Sequence, residues 1–451
     1  MRQPSRFFAI PLVLLLGACD GDDDDPVPVA EPDGEAILEV IHASPDSPDV
    51  LLSLDGTAIG DATPFKGAFQ GTVTPDTTTV DVDAVLPSGP ADAIGPVDVP
   101  TGDDQRVTVF AADEFDAIDA LVVSAPVAEL AADEVRLRVV HAAPNAPMVD
   151  VYATAPDADL ANEAPLGTAM FEGDFGPVTV AAGDYRIRVT VAGNEQDLVF
   201  DSGTLSLDGG SDLVVAAVDN TLTGDAPISL LVSDTLSVVE LLDADTPAEV
   251  RVVHATPDGP NVDVFVDDAT PAAVQNLAFG DFTAYLSLAP DTYTFAVTET
   301  GTTTPALIDE DIELVAGFRY SVYAADFLSE IQPLVLTDDD RSVASEAKLR
   351  VVHASPSAGE VDVYLTSAGT DLSTVDPAVD GATFLDATTY LSVAPGNYDV
   401  TVTPGGGTTP VIGPVSVNLV AGGVYTAAAR DADGAGSPFG LILLDDFANP
   451  I

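Results

Sequence analysis

The sequence contains no tryptophan, a single cysteine, four histidines and only 14 Lys or Arg residues against 74 Asp or Glu. Each scarcity removes a class of function. With a net charge of −60 the chain lacks the cations that would displace counterions from a phosphate backbone, so nucleic acid is not an expected partner. The same charge repels the folded body from an anionic membrane surface. One cysteine forms no disulfide within the chain, and so few histidines cannot build the His/Cys clusters that hold zinc. The missing tryptophan removes the best sugar-stacking side chain and leaves that task to tyrosine. Beyond the first residues, no stretch is long and apolar enough to span a bilayer.

The composition is nonetheless that of a folding chain. Hydrophobic residues make up 46%, mostly Val, Leu, Ala and Ile accompanied by much Thr, a mixture that suits strands. The acid is dispersed through the chain and reads as a solvating coat whose self-repulsion a salty medium would screen.

The N-terminus reads as an export signal: Arg2 and Arg6, an apolar stretch from Phe7 to Leu16, then small residues up to Cys19. Leu16-Gly17-Ala18-Cys19 resembles the bacterial lipobox, in which the peptide is cut before the cysteine and that cysteine takes a lipid. We therefore expect a signal peptide over 1–18, lipid attachment at Cys19 and a disordered Asp/Pro-rich tether over 19–34. Without disulfides, each folded unit is expected to stand on its own hydrophobic core.

All four histidines occupy one place in a recurring phrase: VIHASPDSPDVLL, VVHAAPNAPMVDVY, VVHATPDGPNVDVF and VVHASPSAGEVDVY. His42, His141, His254 and His353 lie 99, 113 and 99 residues apart, which divides the chain into four similar units. Acidic junctions place the units at 35–132, 133–245, 246–344 and 345–451. In the third unit, AEVRVVHATP and NVDVFVDD read as strands, followed by AYLSLAP, DTYTFAVTETG, DEDIELVAG, FRYSVYAAD and IQPLVLTDD. About seven short strands with turn residues between them predict an all-β fold: four tandem immunoglobulin-like, Greek-key antiparallel β-sandwiches. Tyr185, Tyr293 and Tyr398 follow a turn in three units, where a hydroxyl could tie to backbone.

The VRVVHASPDAP-like opening, the VDVYV-like second strand and the APGxY-like turn are similar to the family catalogued as domain of unknown function 4397. The resemblance covers nearly all of the chain beyond the tether. It implies bacterial extracytoplasmic β-sandwiches, often in tandem, and brings no established activity. The first unit departs most, with Leu51 where the others have Asp150, Asp263 and Asp362, and Thr78 in place of the tyrosine.

The His/Asp recurrence invites a catalytic reading, in which strand, turn and strand bring His254 to Asp263 as an oriented base. A nucleophile is not supplied consistently: the position two after each histidine holds Ser44, Ala143, Thr256 and Ser355. The preferred reading is structural, the histidine satisfying backbone groups of the turn and the aspartate accepting amide hydrogen bonds. No cofactor and no metal is expected at the motif. The acidic junctions leave room for calcium between units, although no run matches the calcium-binding loop with its glycine and terminal glutamate. The function expected is that of a non-enzymatic, monomeric, lipid-anchored cell-envelope protein. It would act as a spacer or as a protein- or polysaccharide-binding module, in either membrane and on either face. The alternative is an envelope-polymer hydrolase using the His/Asp pairs.

Overall fold

The computed structural model describes residues 35–447 apart from 75 and 128. The expected leader, Cys19 and the tether lie outside the described residues. Strands dominate, three 3₁₀ turns are present, and no α-helix occurs among the described residues.

The first sandwich shows how the pattern is built. Its strands are β1 (Ala36–His42), β2 (Val50–Leu54), β3 (Thr57–Thr63), β4 (Ala68–Val73), β5 (Asp76–Leu86), β6 (Gly89–Thr101), β7 (Gln105–Ala112) and β8 (Asp119–Pro126). They form two four-stranded sheets, ordered β4-β1-β7-β8 and β3-β2-β5-β6. In β5, Val80, Val82 and Ala84 are buried while Thr79, Asp81 and Asp83 face outward, the alternation of a sheet with one wet face. Leu38, Val40, Leu52, Val80, Val82, Val107 and Val109 close the core between the sheets.

The plan recurs over 134–241, 248–338 and 347–445. Two features differ from expectation. Each sandwich has eight strands or more rather than seven, because short edge strands such as Val274–Leu277 and Leu286–Leu288 join the sheets. Nor is the pairing wholly antiparallel. β1 runs parallel to β7, and Glu134–His141, Ala248–His254 and Ala347–His353 each run parallel to a later strand in the same way.

The larger correction concerns independence. The outer face of the β1-containing sheet is not wet. Ile41, Ala43, Phe110 and Ala112 pack against Val140, Ala142, Val214, Ala216 and Leu231 of the second sandwich in one core. Val253, Ala255, Tyr323 and Ala325 of the third pack likewise on Val352, Ala354, Ala428 and Leu444 of the fourth. Alanine at the close-contact positions lets two sheets approach without a void. The sandwiches therefore pair, first with second and third with fourth, and each pair shares a seam.

Both seams hold buried ions. Glu39, wholly buried, accepts from Arg106 (Nε 3.0 Å, Nη2 2.9 Å), Thr108 Oγ1 (2.8 Å) and Ser233 Oγ (2.5 Å). Arg106 in turn reaches the carbonyls of Asp212 and Ser233 across the seam. In the other pair Asp338 gathers Arg350, Tyr285 and Ser321, with Arg251 3.4 Å away. Arg2 and Arg6 precede the described residues, and Arg186 and Arg188 lie on the second sandwich's outer sheet. Every other basic residue touches another sandwich or lines a cavity at a junction. Most of the scarce cations among the described residues are thus held inside the assembly, and the outer surface is left largely acidic.

Candidate functional site

Strands β1, Glu134–His141, Ala248–His254 and Ala347–His353 all end on the motif histidine. Its Nε2 lies 2.9, 2.9, 2.8 and 2.7 Å from the carbonyl oxygens of Pro48, Pro147, Pro260 and Gly359, six residues on. Its Nδ1 accepts the amide of the residue two later, Ser44, Ala143, Thr256 or Ser355, at 3.3–3.4 Å. An imidazole that must donate from Nε2 and accept at Nδ1 is the neutral Nε2–H tautomer. Each ring spans its turn from both sides.

A phenylalanine stands edge-on to each histidine: Phe65, Phe171, Phe279 and Phe384, with ring centroids 5.9–6.4 Å apart. The histidine backbone pins the loop that carries it, as where the Lys66 amide donates to the His42 carbonyl and the Glu172 amide to that of His141. Sequence reasoning missed these phenylalanines because their distance from the histidine varies between units. The available signal was a Phe recurring beside Gly or Asp, in PFKG, MFEGD, AFGD and TFLD.

The aspartates serve other turns. Asp150 accepts from Thr168 Oγ1 (2.5 Å) and the Gly193 amide (2.7 Å). Asp263 accepts the amides of Asn276 and Gly301, and Asp362 those of Gly381 and Gly406, all at 2.8–2.9 Å. Gly193, Gly301 and Gly406 have positive φ, so each aspartate locks a hairpin tip that only glycine turns cheaply. No motif histidine is hydrogen-bonded to a motif aspartate. Burial pushes the Asp263 carboxyl up, but the Gly301 and Asn276 amides more than offset this and hold it below the usual range.

The hydroxyls beside the histidine have unlike fates. Thr256 Oγ1 donates to the Ala324 carbonyl, Ser355 Oγ donates to Asp431, and Ala143 has none. Asp219, the last residue of the strand Asp212–Asp219, and Asp431, just after the strand Val424–Arg430, were also missed; they bind the turns through Asn145 and through Ser355 and Ser357. The hydroxyls of Tyr185, Tyr293 and Tyr398 donate to the carbonyls of Ala181, Ala289 and Ala394 at 2.8–3.0 Å.

Among the described residues no group of three or more His, Cys, Asp or Glu is arranged to hold a metal ion. At the junction after the third sandwich, Asp338, Asp339 and Asp340 instead face Arg350, Lys348 and Arg319. At that junction the protein's own cations answer the carboxylates.

Burial lowers the His42 pKa from 6.5 to about 4, with the nearby Arg341 adding to the shift and the Pro48 hydrogen bond opposing it. The neutral ring thus stabilises the fold above the unfolded pKa, and this contribution is lost as pH falls toward 4. Relative to His42→Gln, the wild type is expected to lose up to roughly 3 kcal/mol more between pH 7 and pH 4, read from urea melts. Parallel pH profiles would contradict the buried neutral ring.

Tandem β-sandwiches opened by a histidine-spanned turn, with this turn anchored to a phenylalanine loop, define the class. The chain belongs to the family described as "Domain of unknown function (DUF4397)", which matches residues 36–152, 248–364 and 368–451. The second sandwich is matched only through its opening strands, yet carries the same turn and sheets. No curated protein matches the chain. A solved structure titled "The Bacillus anthracis TIE protein" aligns over 88% of this chain and 68% of that one at 10% identity. Its TM-score of 0.15 is too low to carry an argument.

Proposed function

We propose that this is a non-enzymatic, monomeric, lipid-anchored protein of the bacterial cell envelope whose acidic body binds a protein or glycan partner. The observation that carries this reading is the use of both imidazole nitrogens in each motif by the turn's own backbone. A histidine so engaged builds a loop and has no free nitrogen for a substrate proton. That weighs against the hydrolase alternative, which needs such a nitrogen beside an aspartate. Seams that stack the sandwiches favour a rigid binding body over an extended spacer. Anchorage rests on Leu16-Gly17-Ala18-Cys19, with the membrane reached through lipid on Cys19 and the acidic body held in solvent.

Cys19→Ser is expected to move the protein from the membrane pellet to the soluble fraction, followed by immunoblot. Retention in the pellet would overturn the anchor. External protease on intact cells then separates a surface location, in which the body is lost at once, from a periplasmic one, in which it survives until lysis.

A further inference from the structure

We propose that the His141 turn of the second sandwich is an open docking face for an arginine-bearing segment of a basic partner protein. The inference deepens the binding reading above and rests on it.

The same docking occurs twice inside the molecule. In the first sandwich the Arg341 guanidinium lies 5.4 Å from the Phe65 ring. Its Nη1 donates to the carbonyls of Pro45 (3.2 Å) and Ser47 (2.8 Å), and the Ala344 amide donates to that of Asp46 (2.7 Å). In the third, Arg430 lies 5.2 Å from the Phe279 ring, and the Gly434 amide donates to the Pro257 carbonyl (2.8 Å). Two unrelated segments, a junction and a strand end with its following loop, thus place a guanidinium on the phenylalanine and an amide on the turn. The rigid turn, spanned by its histidine, presents carbonyls and an aromatic face together.

In the second and fourth sandwiches that place is not filled. Among the described residues no cation lies over Phe171 or Phe384. The carbonyls of Pro144 and Asn145, like those of Pro356 and Ser357, accept no hydrogen bond there. Phe384 is drawn against the seam core of its pair, whereas Phe171 joins no core cluster.

The residues around Phe171 also differ from their counterparts. Met148 and Met170 are the chain's only methionines besides Met1. The antiparallel pairing of Val149 with Ala169 puts them opposite each other, 48% and 62% exposed. The corresponding pairs are Asp49 and Pro64, Asn261 and Ala278, and Glu360 and Thr383. After Phe65 comes Lys66, whose Nζ lies 5.0 Å from that ring; after Phe171 comes the exposed Glu172. Where the first sandwich carries its own cation, the second carries an anion and two adaptable apolar side chains. A guanidinium suits all three, since it stacks on the ring, pairs with the carboxylate and donates to the carbonyls.

A second copy fits poorly. Among the described residues the arginines are already committed, Arg186 to Asp201 and Arg188 to Thr154 and Ala158, the rest at seams and junctions. Two bodies of this charge also repel. The occupant is therefore a cationic protein segment.

The test uses the full chain carrying Cys19→Ser, with methyl-labelled methionine, so that Met148 and Met170 report the face by NMR. The probe is the acetylated peptide amide Gly-Arg-Ser-Val-Ala, which copies the internal clamp. Both methyl signals are expected to shift saturably, with a Kd on the order of 1 mM. The lysine analogue should bind about fivefold more weakly, since ammonium lacks the planar fork. Phe171→Leu should abolish the shift, and Glu172→Lys, at an exposed position that leaves the fold intact, should weaken it. No saturable shift, equal shifts from arginine and lysine, or indifference to both variants would overturn the proposal. So would methionine shifts that depend on protein concentration alone, which would mean self-association. Failure here leaves the fractionation result of Cys19→Ser untouched, so the two readings fail separately.

Discussion

Asp338→Ala is expected to cost about 3–5 kcal/mol, because it leaves two buried guanidinium groups without their shared carboxylate. The Asp338 side chain is 1% exposed and those of Arg251 and Arg350 are 3% and 2% exposed. Arg350 Nη2 donates to it at 2.5 Å, Tyr285 Oη at 2.5 Å and Ser321 Oγ at 2.6 Å. The Arg251 and Arg350 guanidinium groups also lie over the rings of Tyr285 and Tyr390, each at 4.8 Å, so neither can swing to solvent without leaving its aromatic support. Asp445 would still hold Arg251 by one bond of 2.6 Å, while Arg350 would keep only the Thr337 carbonyl. Removing any carboxylate also relieves repulsion in so acidic a chain, so the exposed Asp103→Ala is the proper control. Urea denaturation of both variants reads the difference, and equal midpoints would show that the seam does not depend on its ions.

Phe110→Ala should cost a similar amount, about 3–5 kcal/mol, by a different mechanism. Phe110 is fully buried, and its ring lies in the seam core shared with Val140, Val214 and Leu231 of the second sandwich. Two hydrogen-bonded sheets bound the space, so the site cannot collapse around the missing ring, and the cavity term is retained. The effect should also cross the seam. Amide hydrogen exchange of the strand Asp212–Asp219, more than a hundred residues away, is expected to accelerate together with that of β7. A loss confined to the first sandwich would mean that the two fold independently and merely touch.

Much of this arrangement could be read before any coordinates. The period-two pattern of TTTVDVDAV and of TYTFAV exists because one face meets a core and the other meets water, and that is a local property of the chain. The tyrosine after the AP turn was readable too, since its carbonyl partner lies four residues upstream. Less legible was the meaning of VVHA and of the YAA, VAAV and TAAA runs. Continuous apolar stretches of this kind mark strands covered on both faces, against the expectation that each unit stands on its own core. The small alanines in them were the signal for a second sheet packing closely.

The aspartate of the VDVY segment shows a further limit. Its distance of nine residues from the histidine suggested a pair, yet strand alternation and the intervening turn send the imidazole to its own loop and the carboxylate to a hairpin tip.

The sequence by itself determined what depends on near neighbours: an all-β chain, its repeating unit, the strands and their wet faces, and an excess of acid with few cations to answer it. The tertiary structure alone decided which sheets pair, where the cations go and which histidine turns carry an arginine on their phenylalanine. Those outcomes rest on contacts between residues remote in the chain, such as Ser233 with Glu39 and Arg251 with Asp445, each pair 194 positions apart. Hydrophobic periodicity records that a face is buried. It does not record against what, because a valine or an alanine packs on its own sandwich and on the next by the same non-directional force.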